Sequence, residues 1–192
     1  MLLAACSEPT TVTTTETTTH TTTQTQHETI TKITTAQPLQ TADNTQQSNI
    51  TYSTEPQENT NSMLADLTLI DVRVGTHEHI DRVVFEFQGR GKPGWHTRYV
   101  GQAFHMASGL PMDVVSDNNL EIMIHGTPMG NPRPDSLMKT GLTGKAAGNI
   151  QNITNGGAFE GDSQFFINLD KKRPYTVYTL ENPTRLVVDF KK

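Results

Sequence analysis

The densest run of chemistry-bearing side chains in this sequence is His77-Glu78-His79-Ile80-Asp81-Arg82. His77, His79 and Asp81 alternate, so an extended backbone would carry two imidazoles and a carboxylate on one side. That set could bind zinc or another divalent ion, and with it a metal-dependent hydrolase becomes conceivable. The same residues also read as an exposed polar turn, or as part of a glycan-binding surface. Sugar surfaces usually need an aromatic platform beside planar hydrogen-bonding groups. Trp95, which follows a Gly-Lys-Pro-Gly turn and is flanked by His96 and Arg98, is one such platform; Tyr99, Tyr175 and Tyr178 are others. An isolated Trp also reads as core. Arg82 either pairs across strands or faces a ligand, and Arg73 is similar. The candidate binding set is Arg73, His77, Asp81, Arg82, Trp95, Tyr178 and Arg185.

Catalytic signatures are missing. The sequence has no Gly-x-Ser-x-Gly elbow, no His-Glu-x-x-His and no cysteine beyond Cys6. Gly141-Leu142-Thr143-Gly144-Lys145-Ala146 imitates a phosphate loop, but two residues separate its glycines where four are needed. Ala146 also stands where a hydroxyl would bind magnesium. We therefore expect a protein without catalytic residues, cofactor or metal. Asp170-Lys171-Lys172-Arg173-Pro174 reads as a basic turn, either solvated and edge-protecting or a contact for acidic phosphates.

Composition divides the chain. Residues 1–62 hold 21 Thr and 7 Gln, no Gly, one aromatic (Tyr52), one base (Lys32) and six acids. The net charge of −5 therefore sits wholly on the first third, and the remaining 130 residues are neutral. No clustered positive excess points to nucleic acid, and no stretch of about 18 apolar residues points to a membrane span. Ordering a backbone costs roughly 1–2 kcal/mol per residue, and scattered aliphatics such as Val12, Ile30 and Leu39 cannot offset it. Residues 7–62 are thus expected to be a disordered linker, with a mean reach of roughly 40 Å. Before it, Leu3-Ala4-Ala5-Cys6 resembles the lipobox of bacterial lipoproteins, which makes Cys6 a lipid attachment site and residues 1–6 a signal remnant. Only five residues precede Cys6, too few for a signal peptide, so the start lies upstream or the sequence is truncated. With a single cysteine, no disulfide within the chain is possible.

From Leu64 onward the periodicity is two. Asp66–Val74, Arg82–Phe87, Trp95–Val100, Met112–Val115, Leu120–His125, Ile150–Thr154, Gln164–Leu169, Tyr175–Leu180 and Arg185–Phe190 read as strands between Gly, Pro and Asn-rich turns. Between Pro134 and Ala147 a loop or a single helical turn is expected. The fold class is all-β: a β-sandwich of about 8–9 short strands over residues 63–192.

One internal repeat sharpens this. Arg82-Val83-Val84-Phe85-Glu86-Phe87 matches Arg185-Leu186-Val187-Val188-Asp189-Phe190. If these strands pair antiparallel with Val84 opposite Val187, Arg82 faces Asp189 and Glu86 faces Arg185. Each such pair contributes about 0.2–1 kcal/mol and sets register more than stability.

The segments Ile70–Phe87 and Tyr178–Phe190 resemble the first and last segments of the AMIN-like domain of actinobacterial lipoproteins, and more distantly the AMIN domain of cell-envelope amidases and secretins. The resemblance implies an envelope-located β-sandwich that binds without catalysis. Its partners would be peptidoglycan or another cell-wall glycan, or alternatively an envelope enzyme or secretion component that it recruits. It would meet the membrane through its lipid anchor only, on the extracytoplasmic side.

Overall fold

The computed structural model describes residues 51–192; Cys6 and residues 7–50 of the expected linker lie outside the described residues. The strands are β1 (Gln57–Asn59), β2 (Asp66–Thr76), β3 (Ile80–Arg90), β4 (Gly94–Val100), β5 (Ala103–Phe104), β6 (Pro111–Met112), β7 (Asn119–His125), β8 (Gly141–Leu142), β9 (Ile150–Phe159), β10 (Asp162–Leu169), β11 (Tyr175–Leu180) and β12 (Thr184–Lys191). A single helical turn, α1 (Asp135–Met138), forms where one was expected and buries Leu137. Among the described residues no helix is long and apolar enough to cross a membrane.

Two antiparallel sheets make the sandwich. One has six strands in the order β1-β4-β7-β10-β9-β8, the other four in the order β11-β12-β3-β2, and β5–β6 form a separate hairpin. The strands pair because their alternation gives each sheet one apolar face. Leu67, Leu69, Val72, Val83, Phe85, Phe87, Leu186, Val188 and Phe190 from the smaller sheet meet Leu120, Ile122, Ile124, Ile153, Phe165 and Ile167 from the larger. Phe85 and Phe165 lock the layers together with ring centroids 5.1 Å apart. At about 25 cal/mol per Å² of apolar surface, this interface is the main source of stability.

A bulge keeps β2 in phase. Its pairing with β3 runs Leu69 to Phe87 and then Asp71 to Glu86, leaving Ile70 as the extra residue. Leu67 and Leu69 point inward before the bulge and Val72 after it, so Asp71 and Arg73 turn to the outer face.

β3 and β12 pair in the register the repeat implies. Val84 lies opposite Val187, Arg82 opposite Asp189 and Glu86 opposite Arg185.

Three differences from the sequence reading have plain causes. The strands number twelve because β1, β5 and β8 span only two or three residues, too few to show a period. Met112–Val115 shortens to β6, and residues around it fold as a flap on the larger sheet. The expected linker end at Ser62 also falls too late. Ser53 bridges Tyr175 on β11, and four residues later β1 pairs with β4. Residues 53–59 are thus a strap that joins the edges of the two sheets. Its backbone partners supply the reason: Tyr175 donates its hydroxyl to the Glu55 carbonyl at 2.9 Å, and Thr97 donates to that of Gln57 at 3.0 Å.

Candidate functional site

Residues facing each other in a sheet share a face, so the register brings distant positions into rows. Across β2, β3, β12 and β11 one row reads Asp71, Glu86, Arg185, Leu180. The next reads Arg73, Val84, Val187, Tyr178, and the third Gly75, Arg82, Asp189, Thr176. With strands about 4.8 Å apart, each row spans roughly 14 Å. Four of the seven candidate residues, Arg73, Arg82, Tyr178 and Arg185, therefore stand on one outer face.

Their surroundings separate them into two groups. Arg73 is open to solvent and reaches Glu86 at 2.7 Å and Asp71 at 2.9 Å. The hydrogen bond to Glu86, reinforced by Asp71, holds its guanidinium above the ordinary range. Arg185 is half-exposed, and its Nε donates to the Pro183 carbonyl at 3.2 Å. Glu86, opposite Arg185 in register, takes its ion pair from Arg73 instead, because β2 flanks β3 on the other side. These groups offer a ligand donors and acceptors that water now shares.

Arg82 belongs to a tighter cluster. It grips Asp189 with Nε at 2.7 Å and Nη2 at 3.0 Å, and the Tyr178 hydroxyl donates to the same carboxylate at 3.0 Å. Asp189 is almost wholly buried. Tyr52, immediately before the strap, lies within its field: burial first, then the Asp189 charge, pushes the Tyr52 hydroxyl up. Lys191 places its ammonium 4.8 Å from the Tyr52 ring. Sequence reasoning missed Tyr52, since it sits in Thr-rich chain; its being the one aromatic there was the available signal.

The remaining candidates part company. Residues 77–79 form the turn between β2 and β3, so the extended backbone that would align His77, His79 and Asp81 does not exist. His77 and His79 are exposed, and Asp81 is fully buried. Its carboxylate accepts from Thr76 Oγ1 at 2.6 Å, from the Asn149 backbone at 2.9 Å and from Asn149 Nδ2 at 2.7 Å. Burial alone would raise its pKa; those hydrogen bonds and the Lys192 charge outweigh it and hold the carboxyl below the usual range. Asp81 is a structural acceptor, and the expected His-His-Asp set is corrected. Trp95 is also corrected: at 6% exposure it packs in the core beside Ile124, with no face for a sugar. Tyr99 and Tyr175 are committed to the interior as well, stacked edge to face with centroids 5.7 Å apart. At the basic turn, Arg173 is buried and binds Asp170 at 2.8 Å. Among the described residues no group of three or more His, Cys, Asp or Glu side chains is arranged to hold a metal.

In comparisons with known proteins, the family model described as AMIN-like domain matches residues 67–192. No curated protein and no solved structure matches the chain.

Proposed function

The chain belongs to the AMIN-like domain family, and on that premise we propose that it is a lipid-anchored, extracytoplasmic module that binds peptidoglycan or a related wall polymer on the outer face of its four-stranded sheet. AMIN-like domains are generally non-catalytic binding modules, and AMIN domains are associated with cell-wall binding in envelope proteins. The observation that carries the reading is the open part of that face. Arg73 and Arg185 supply guanidinium donors for carboxylate, phosphate or hydroxyl oxygens, and Asp71 and Glu86 supply acceptors for sugar hydroxyls. Half-buried Val84, next to Arg73 in its row, offers an apolar patch to the C–H face of a sugar. The half-buried Arg82–Asp189–Tyr178 cluster on the same face ties β3, β12 and β11 together and is positioning rather than contacting. Cys6, followed by the Thr-rich segment, would tether the domain at a membrane.

The test is co-sedimentation of the full chain with purified wall sacculi. Retention should fall at least fivefold in the Arg73→Ala/Arg185→Ala double variant while its thermal unfolding stays near wild type. Failure of the wild-type chain to sediment removes polymer binding; undiminished retention of the double variant removes this face. Metabolic labelling with a fatty acid, abolished by Cys6→Ser, tests the anchor.

A second reading, recruitment of an envelope protein, draws on the flap around β5–β6. Phe104, Leu110 and Val115 are 49%, 63% and 46% exposed there, an apolar surface of the kind that partners cover. Cross-linking at Leu110 that captures a protein, with no wall retention, would favour it.

A further inference from the structure

The larger sheet carries its own cluster. β4 and β7 pair with Gly94 opposite His125 and His96 opposite Met123, which puts His96 and His125 on a diagonal of one face. Their rings lie with centroids 5.2 Å apart, and His96 Nδ1 is 3.1 Å from His125 Nε2. β10 brings Asp162 opposite His125, and Asp162 Oδ1 stands 2.9 Å from His125 Nδ1. The carboxylate accepts the Nδ1 proton, which fixes the tautomer and leaves Nε2 to accept a hydrogen bond from His96 Nδ1, the bond an ion would replace. Burial first, then His125, keeps His96 less readily protonated than an ordinary imidazole.

We propose that His96 Nδ1 and His125 Nε2 form a binding site for a divalent transition-metal ion of the zinc, copper or nickel class, with Asp162 as the carboxylate that orients His125. Two imidazole nitrogens each ~2.0–2.1 Å from one ion are separated by about 2.9–3.4 Å for bond angles between roughly 90° and 109°. The observed separation of 3.1 Å falls in that range. A carboxylate on the far nitrogen of a ligating histidine is the usual outer-shell support for such a metal. Imidazole donors select these ions over magnesium and calcium. Binding needs no net proton release: the His96 Nδ1 proton moves to Nε2 through solvent while His125 keeps its Nδ1 proton on Asp162. Among the described residues these two imidazoles are the only side-chain ligands of the proposed site, and water completes the coordination. A cavity of about 480 Å³ lined by Thr60, Ser62, Glu160 and Asp162 reaches the His125 side of the pair. The site is on the opposite sheet from the proposed polymer surface and does not depend on it.

Zinc chloride titrated into the full chain, followed by calorimetry and atomic absorption after gel filtration, tests the site. We expect about one equivalent bound. His96→Gln and His125→Gln should each weaken binding at least tenfold, and Asp162→Asn about 10–100-fold. The His77→Gln/His79→Gln and His20→Gln/His27→Gln pairs should leave it unchanged. A wild-type measurement guards against misfolded variants: the imidazole nitrogens of His96 and His125 should shift in NMR spectra on zinc addition. No bound zinc, binding indifferent to His96 and His125, or binding lost with either control pair overturns the proposal.

Discussion

Arg82 and Asp189 face each other across β3 and β12, and the guanidinium grips the carboxylate through two nitrogens at 2.7 and 3.0 Å. The pair is the contact expected from the internal repeat, realised with the acid almost buried. Arg82→Ala should destabilise the domain by about 2–3 kcal/mol in urea unfolding. That is less than the ~3–5 kcal/mol of a fully buried pair, because Arg82 keeps some contact with water. A double-mutant cycle with Asp189→Ala should give a coupling of about 0.5–3 kcal/mol; a value near zero would show that the contact does not hold the register.

Trp95 provides a direct optical check. Its fluorescence should be blue-shifted in the folded chain, poorly quenched by iodide, and unmoved by wall fragments that bind. Trp95→Ala should cost about 3–5 kcal/mol through the cavity it leaves. Strong iodide quenching of the native protein would contradict the burial.

Gly148 and Asp81 are a matched pair. Gly148 has φ +57°, and a Cβ there would lie 2.1 Å from Asp81 Oδ1. Gly148→Ala should therefore cost at least the ~1–3 kcal/mol of a left-handed non-glycine residue, plus the displacement of a carboxylate that accepts three hydrogen bonds. The folded-state pKa of Asp81 is lowered, so its contribution is present above the ordinary value of 3.8 and is lost as pH falls through the folded value. Asp81→Asn should flatten the acid limb of a stability–pH curve; an unchanged limb would assign acid sensitivity elsewhere.

Tyr99 contributes to the alkaline limb together with Tyr52 and Tyr175. Burial, set against a hydrogen bond with Arg173, pushes its hydroxyl up to about 12 from 10.0. Because the folded value is raised, the contribution is complete below pH 10.0 and disappears as pH rises toward about 12. Absorbance at 295 nm should show Tyr52, Tyr99 and Tyr175 titrating late, and Tyr99→Phe should reduce that late amplitude while leaving two Arg173 backbone groups without their partner.

Much of the smaller sheet was legible because its two central strands repeat the same residue order, and order plus polarity is enough to define an antiparallel register. What escaped was choice among neighbours. Glu86 faces Arg185 in the register, yet it bonds Arg73, and no local pattern says which strand will flank β3 on its other side. Trp95 illustrates the same limit: its type suits core and surface equally, and its burial is decided by β7 and the strap. For His77, His79 and Asp81 the error was local. Alternation implies one face only while the backbone stays extended, and the chain reverses at 77–79. The strap itself left no periodicity, because most of its contacts run through backbone groups that every residue carries.

A chain starting at Met63 should unfold at a lower temperature than the full chain, since Tyr175 and Thr97 each lose a carbonyl partner on the strap. Equal melting temperatures would show that residues 53–59 add nothing.

The strap also decides how the fold responds to a pull. Chain continuity delivers tension from the upstream residues first to the Ser53–Tyr175 bridge, whose two backbone hydrogen bonds measure 3.0 and 2.9 Å. That bridge lies on β11, the edge strand of the smaller sheet, so load enters that sheet at its edge. Tyr175 is itself fully buried and holds the strap through its backbone and its hydroxyl, so one side chain passes the load to the aromatic interior. The strap is thus a handle on the core: a pull on the chain upstream is felt first where Tyr175 joins the edge of one sheet to the packed rings.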